Sequence, residues 1–153
     1  MTTETLDAQD PGQDPDPDLG PDQQLVTDVF ARGCTSRAAF EDVTAKWASL
    51  ALLALGESTY RFNALRRRVE GVSEKMLSQT LQTLERDGLV TRDVVTTIPP
   101  RVEYGLTPLG VRVAERVRLL ADLLEETADE VQSARATYDE TPKAGEPRPA
   151  VRA

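Results

Sequence analysis

The sequence contains no histidine and one cysteine, Cys34, among its 153 residues. Within one chain these shortages exclude a zinc tetrad, a Ser–His–Asp triad, a Cys–His dyad and an internal disulfide. Carboxylates alone can carry general acid–base chemistry. No pair of acids here stands in a catalytic setting, so neither an enzyme, a metal site nor a cofactor is expected. Aromatic residues are scarce at 5%. The longest apolar run, Leu50 to Leu55, is about a third of the roughly eighteen residues that span a bilayer. The N-terminus has neither the basic n-region nor the apolar h-region of a secretory signal. With a lone thiol that suits a reducing compartment, this predicts a cytoplasmic protein with no membrane partner.

Basic residues are also missing where the chain begins. Residues 1–29 hold eight acids and no Lys or Arg, whereas Phe30 to Gly110 hold eleven basic and nine acidic residues. The net charge of −8 is therefore set largely by an acidic arm and says little about the centre of the chain. In residues 1–22, Pro11, Pro15, Pro17 and Pro21 alternate with aspartates, and such a stretch has almost nothing to bury. The expected organisation is a disordered acidic arm over 1–22, a folded domain over 23–133 and a flexible tail over 134–153.

Within the domain, apolar spacing predicts a helix over Gln23–Arg32 and another over Ser36–Thr44. The segment Lys46–Leu55 is apolar nearly all round and should be a buried helix. Phe62, Leu65 and Val69 follow at helical spacing, with Arg61, Arg66 and Arg67 off the core side. Ser73 is a good N-cap for a helix to Arg86, which Asp87-Gly88 closes. Val90–Ile98 and Arg101–Leu106 read as strands joined through Pro99-Pro100, and Thr107-Pro108 opens a long helix to about Ser133. Along it Val113, Val117, Leu120, Leu124 and Val131 form a stripe close to a coiled-coil seam. The fold class is mainly α with a small β-hairpin (α+β): a winged helix-turn-helix with flanking dimerisation helices.

The helix from Ser73 carries the chemistry that suits double-stranded operator DNA. With Leu77, Leu81 and Leu84 inward, Lys75, Gln79, Gln82 and Arg86 fall opposite, flanked by Ser78 and Thr83, while Glu74 and Glu85 project to one edge. Gln pairs bidentately with adenine, and Arg or Lys with guanine, from a helix in the major groove. Arg61, Arg66 and Arg67 on the preceding helix suit backbone phosphates, and Arg92 and Arg101 in the hairpin suit phosphates or the minor groove. Each cluster taken alone also fits an ordinary solvated face. A winged-helix module that binds only proteins is the alternative that the overall acidity favours.

The segments Lys46-Trp47, Arg61-Phe62-Asn63-Ala64-Leu65-Arg66, Gly71 to Gln79 and Leu84 to Val90, with Pro99 to Gly110, resemble the HxlR-type family of bacterial winged-helix regulators, which is MarR-related. The likeness runs from about Cys34 to Leu124. It implies a homodimer, expected to be a repressor, that binds an inverted repeat near the gene it regulates and pairs through terminal helices. Val29, Phe30, Val117, Leu120, Leu124 and Val131 are the expected interface. The stripe also fits packing against its own domain.

Family members commonly carry a cysteine thirteen residues before the tryptophan, as Cys34 stands before Trp47, and some sense quinones, aldehydes or oxidants with it. Thr35 replaces the proline usual after this cysteine. Arg32, Arg37 and a helix starting at Thr35 or Ser36 would all favour the reactive thiolate. A buried, inert cysteine is the alternative. A small ligand at the dimer interface is the competing effector to an oxidant or electrophile.

Overall fold

A computed structural model describes residues 27–95 and 98–145. The acidic arm 1–22, the first residues of the expected Gln23–Arg32 helix and the end of the expected tail lie outside them. The chain divides into two compact units after Thr44.

In the first unit, helix α1 spans Thr35–Thr44. Residues 27–34 form turns and bends rather than the expected helix. Asp28 explains part of this: its carboxylate accepts from the Phe30 N–H at 3.0 Å, an Asx-type turn that competes with helical pairing.

The second unit begins with α2 (Lys46–Glu57), which buries Ala48, Ala51, Leu52, Ala54 and Leu55. A two-residue strand, β1 (Tyr60–Arg61), leads into α3 (Phe62–Arg68) and then α4 (Glu74–Arg86). Strands β2 (Val90–Val95) and β3 (Arg101–Leu106) form the hairpin. Helices α5 (Pro108–Glu126) and α6 (Ala128–Glu140) complete the described chain. The sheet is antiparallel in the order β1-β3-β2, with Tyr60 opposite Tyr104 and Arg92 opposite Tyr104 on the other side.

Three elements differ from the sequence expectation. Strand β1 was not anticipated, because two residues carry no periodicity; Arg61 therefore sits in the sheet, opposite Glu103, and not on α3. Strand β2 is described over Val90–Val95 and Ile98 is a bend, while residues 96 and 97 of the expected strand lie outside the described residues. The long helix to Ser133 is two helices that part at Thr127. There the threonine hydroxyl donates to the Leu123 carbonyl at 2.7 Å and the backbone relaxes to φ −105° and ψ 16°. Such local bonding by threonine bends helices. Helix α6 then runs to Glu140, seven residues beyond the expected helix end at Ser133.

Leu52, Leu65, Leu77, Leu81 and Leu84 are fully buried and bring α2, α3 and α4 around one core. Each contributes roughly 1.5–3 kcal/mol of burial. At the edge of this core Thr107 joins two helix ends. Its hydroxyl donates to the Gly88 carbonyl at 2.6 Å and accepts from the Gly110 N–H at 2.9 Å. Gly110 lies against the backbone of Leu89, and a Cβ there would collide with the Leu89 carbonyl oxygen. Only glycine permits that approach.

Candidate nucleic-acid interface

The helix-turn-helix is built from short-range rules. Gly71 adopts φ 92°, a left-handed conformation natural to glycine, and turns the chain between α3 and α4. The Ser73 hydroxyl accepts from the Met76 N–H at 3.1 Å, a cap worth about 1 kcal/mol. Ser73 was also expected among the DNA contacts, and its hydroxyl is engaged in this cap. Gly88, at φ 74°, ends the element after α4.

With Leu77, Leu81 and Leu84 buried, α4 exposes Lys75, Gln79, Gln82 and Arg86, and half-buries Ser78 and Thr83. That is the face expected from the helical period. Two grooves flank it. One, between α3 and α4, is lined by Asn63, Arg66, Arg67, Ser73 and Glu74 among others. The other joins α4 to the hairpin through Ser78, Gln82, Glu85, Arg92 and Tyr104. Phe62 and Tyr104 pack with their rings tilted by 56° and 6.5 Å between centroids, which helps to hold α3 on the sheet. Recognition-helix and wing residues separated in sequence are thus brought together. Asn63 and Tyr104 were not singled out from sequence; an exposed Asn at a helix start and a Tyr in a strand carry no distinctive spacing.

The cations divide into two groups. Arg61, Arg67, Lys75, Arg86 and Arg92 have no ion pair among the described residues. Others are engaged. Arg66 meets Glu74 at 3.0 Å, and Arg101 meets Glu103 at 3.7 Å. Arg68 grips the Glu57 carboxylate through Nε at 3.0 Å and Nη2 at 2.6 Å, and Tyr60 adds a donor at 3.3 Å. These Arg68 bonds hold the Glu57 carboxyl below its usual range, against partial desolvation, and raise the Arg68 guanidinium.

Cys34 is buried at the start of α1, its Sγ 2.9 Å from the Ser36 hydroxyl. This hydrogen bond is the main cause of a thiol pKa below its ordinary value. The Arg37 and Ser36 backbone N–H groups act the same way, while desolvation and the Asp28 carboxylate oppose them. The expected help from the Arg37 side chain is not the source. That guanidinium pairs with Glu41 at 2.9 Å and donates to the Phe30 carbonyl at 3.1 Å.

Of the expected interface residues, Val29 and Val117 are half-buried. Phe30, Leu120, Leu124 and Val131 are exposed. Val131 lies on α6, apart from the α5 residues. Leu119 and Leu123 are exposed beside Leu120 and Leu124, and the seam-like spacing read from sequence passed over both.

A helix-turn-helix whose second helix presents a polar face, followed by a β-hairpin, defines the winged-helix class of DNA-binding proteins. The chain belongs to the HxlR-like helix-turn-helix family, whose model matches residues 42–132. It is 50% identical over 114 residues to the HTH-type transcriptional regulator YtfH of Escherichia coli, covering 74% of this chain and 90% of that one. The ytfH regulator of Salmonella typhimurium has a solved structure with 47% identity and a TM-score of 0.66, covering 71% and 97%. The redox regulator HypR in its reduced form matches at 30% identity and a TM-score of 0.59, covering 64% and 97%. The protein is a helix-turn-helix transcriptional regulator of a DNA-binding class, and the family and these relatives are regulators rather than enzymes. Among the described residues no helix is long and apolar enough to cross a membrane.

Proposed function

We propose that the protein acts in the cytoplasm as a homodimeric repressor that binds a pseudo-palindromic operator and releases it when Cys34 is modified. The observation that carries the DNA reading is the exposed Lys75, Gln79, Gln82 and Arg86 face of α4, with Arg67 in one flanking groove and Arg92 in the other, neither of them in an ion pair among the described residues. A cation with no carboxylate partner gives up no ion pair when it meets a phosphate. In this reading Lys75, Ser78, Gln79, Gln82, Thr83 and Arg86 face base edges, while Ser73 chiefly caps their helix. Arg61, Arg66 and Arg67 position the duplex, and Arg92 and Arg101 extend the contact through the wing. Two copies pair through Val29, Phe30, Val117, Leu120, Leu124 and Val131, which sets half-sites about one helical turn apart.

Sensing through Cys34 is supported by its lowered thiol pKa and by the redox regulator among the structural neighbours. With one cysteine per chain, the modification is alkylation by an electrophile or, where a peroxide takes up the two electrons and two protons that the thiols lose, a mixed disulfide with a small thiol or a bridge between subunits. A small-ligand effector is the second reading. It is favoured by a cavity of about 400 Å3 between α2, β3 and α5, lined by Leu53, Leu55, Leu106, Val111 and Ala114 with Arg118 at its polar side.

The test is binding to the fragment upstream of the protein's own gene across a salt series, with Lys75→Ala, Gln79→Ala and Cys34→Ser beside wild type, with and without a quinone. Tight binding that falls steeply with salt and is lost in the α4 variants is expected. Release by quinone in wild type but not in Cys34→Ser supports the sensor; release in both points to the cavity. Absence of binding even at low salt refutes the DNA reading.

A further inference from the structure

Glu74 is the first residue of α4 and exposed, on the lip of the α3–α4 groove that also holds Asn63, Arg66 and Arg67. In a helix-turn-helix this end of the second helix points at base edges, and the arginines beside it meet phosphates. A carboxylate there is repelled by DNA unless a hydrogen-bond donor faces it. The major groove offers two such donors, cytosine N4 and adenine N6. Adenine presents its N7 acceptor next to that donor, which opposes the second carboxylate oxygen. Cytosine presents no acceptor on its own edge.

Arg66 sharpens the choice. Its Nη1 donates to Glu74 Oε1 at 3.0 Å, which fixes the carboxylate and offsets its charge. Held this way, Glu74 turns only acceptor oxygen towards the groove, while the remaining Arg66 N–H groups stay with the phosphate. The cytosine N4 donor of a C·G base pair, with no acceptor on its own base edge, is the complement. A favourable helix dipole and a surface ion pair explain why Glu74 is tolerated. They do not explain a carboxylate on this lip.

From this juxtaposition we infer that Glu74, held by Arg66, is a specificity-determining residue that reads a cytosine in each half-site. The inference rests on the proposed reading of DNA by α4. Arg66 is the positioning residue. Selection of bound duplexes from a random library by the full chain, repeated with E74Q, E74A and R66A, tests it, with circular dichroism confirming that each variant is folded. For wild type, one C·G position per half-site is expected to be preferred by about 10- to 100-fold over other bases. At that position alone, E74Q is expected to shift the preference to adenine, E74A to lose it, and R66A to weaken it. If E74Q and E74A change affinity uniformly for all sequences, Glu74 merely screens Arg66 and the inference is overturned while the DNA reading stands. If wild type selects no motif at all, the reading by α4 fails and takes the inference with it.

Discussion

Helices α4 and α5 are both amphipathic, yet only α4 finds within the second unit partners for all of its leucines. Leu77, Leu81 and Leu84 of α4 are buried at 1% exposure or less. Helix α5 buries only Gly110 and Ala114, and leaves Leu119, Leu120, Leu123 and Leu124 more than half exposed. The charges run the other way. On α5, Arg118 is bonded to Asp122 at 2.8 Å and to Glu125 at 3.3 Å, while Lys75 and Arg86 on α4 have no ion pair among the described residues. One helix is short of apolar partners and the other of ionic ones. A helix whose unmet surface is ionic suits a polyanion, and one whose unmet surface is leucine suits a second copy of itself.

The largest effect is expected where the two helices join. Gly110→Val would force α5 away from the Leu89 carbonyl, and urea unfolding should show a loss of about 3 kcal/mol or more; an unchanged midpoint would mean the junction is loose. Next, Leu120→Glu with Leu124→Glu should leave the helical circular dichroism intact and weaken self-association by at least about 100-fold, roughly 2.7 kcal/mol, in sedimentation. Dimers that persist in this variant would place the interface elsewhere.

A smaller effect separates free from paired cations. Arg67→Ala should lower affinity for all sequences and reduce the salt slope by about 1. Arg68→Ala, whose partner is Glu57, should leave that slope unchanged. Equal slopes for the two variants would erase the distinction between the groups. The smallest concerns Cys34. Because its folded-state pKa is lowered, the thiolate should form below the ordinary midpoint of about 8.5. Ser36→Ala removes the main stabilising bond, so titration of thiolate absorbance should move to higher pH. The folded state gains from the ionised form only above the folded pKa, so any stabilisation from it grows with pH and is absent in acid. A midpoint unmoved by Ser36→Ala would assign the shift to the helix start alone.

Much of the reading head was legible because its determinants are local. The leucine period of α4, the Ser73 cap and the Thr107-Pro108 start each act within one helical turn. The sequence reading failed where the outcome depends on a competitor that periodicity does not register. Asp28 bonds Phe30 where helix was expected, and Thr127 bonds Leu123 in mid-seam. Pairing across elements was likewise hidden. Nothing in the spacing of Arg66 shows that Glu74 waits on the next helix, whereas the pairing of Arg37 with Glu41, four residues on in α1, is a local one that spacing does show. The two-residue β1 is defined only by its partner in β3.

The Thr107 hydroxyl has a mechanical corollary. By bonding Gly88 just after α4 and Gly110 in the first turn of α5, with Leu89 wedged against the glycine between them, it welds the end of one helix to the beginning of the other. Helix α5 is then a lever arm of 19 residues, about 28 Å at 1.5 Å per residue, fixed rigidly to the reading head. A tilt of only 10° at its far end corresponds to a swing of about 5 Å over that length, more than the 3.4 Å step between base pairs.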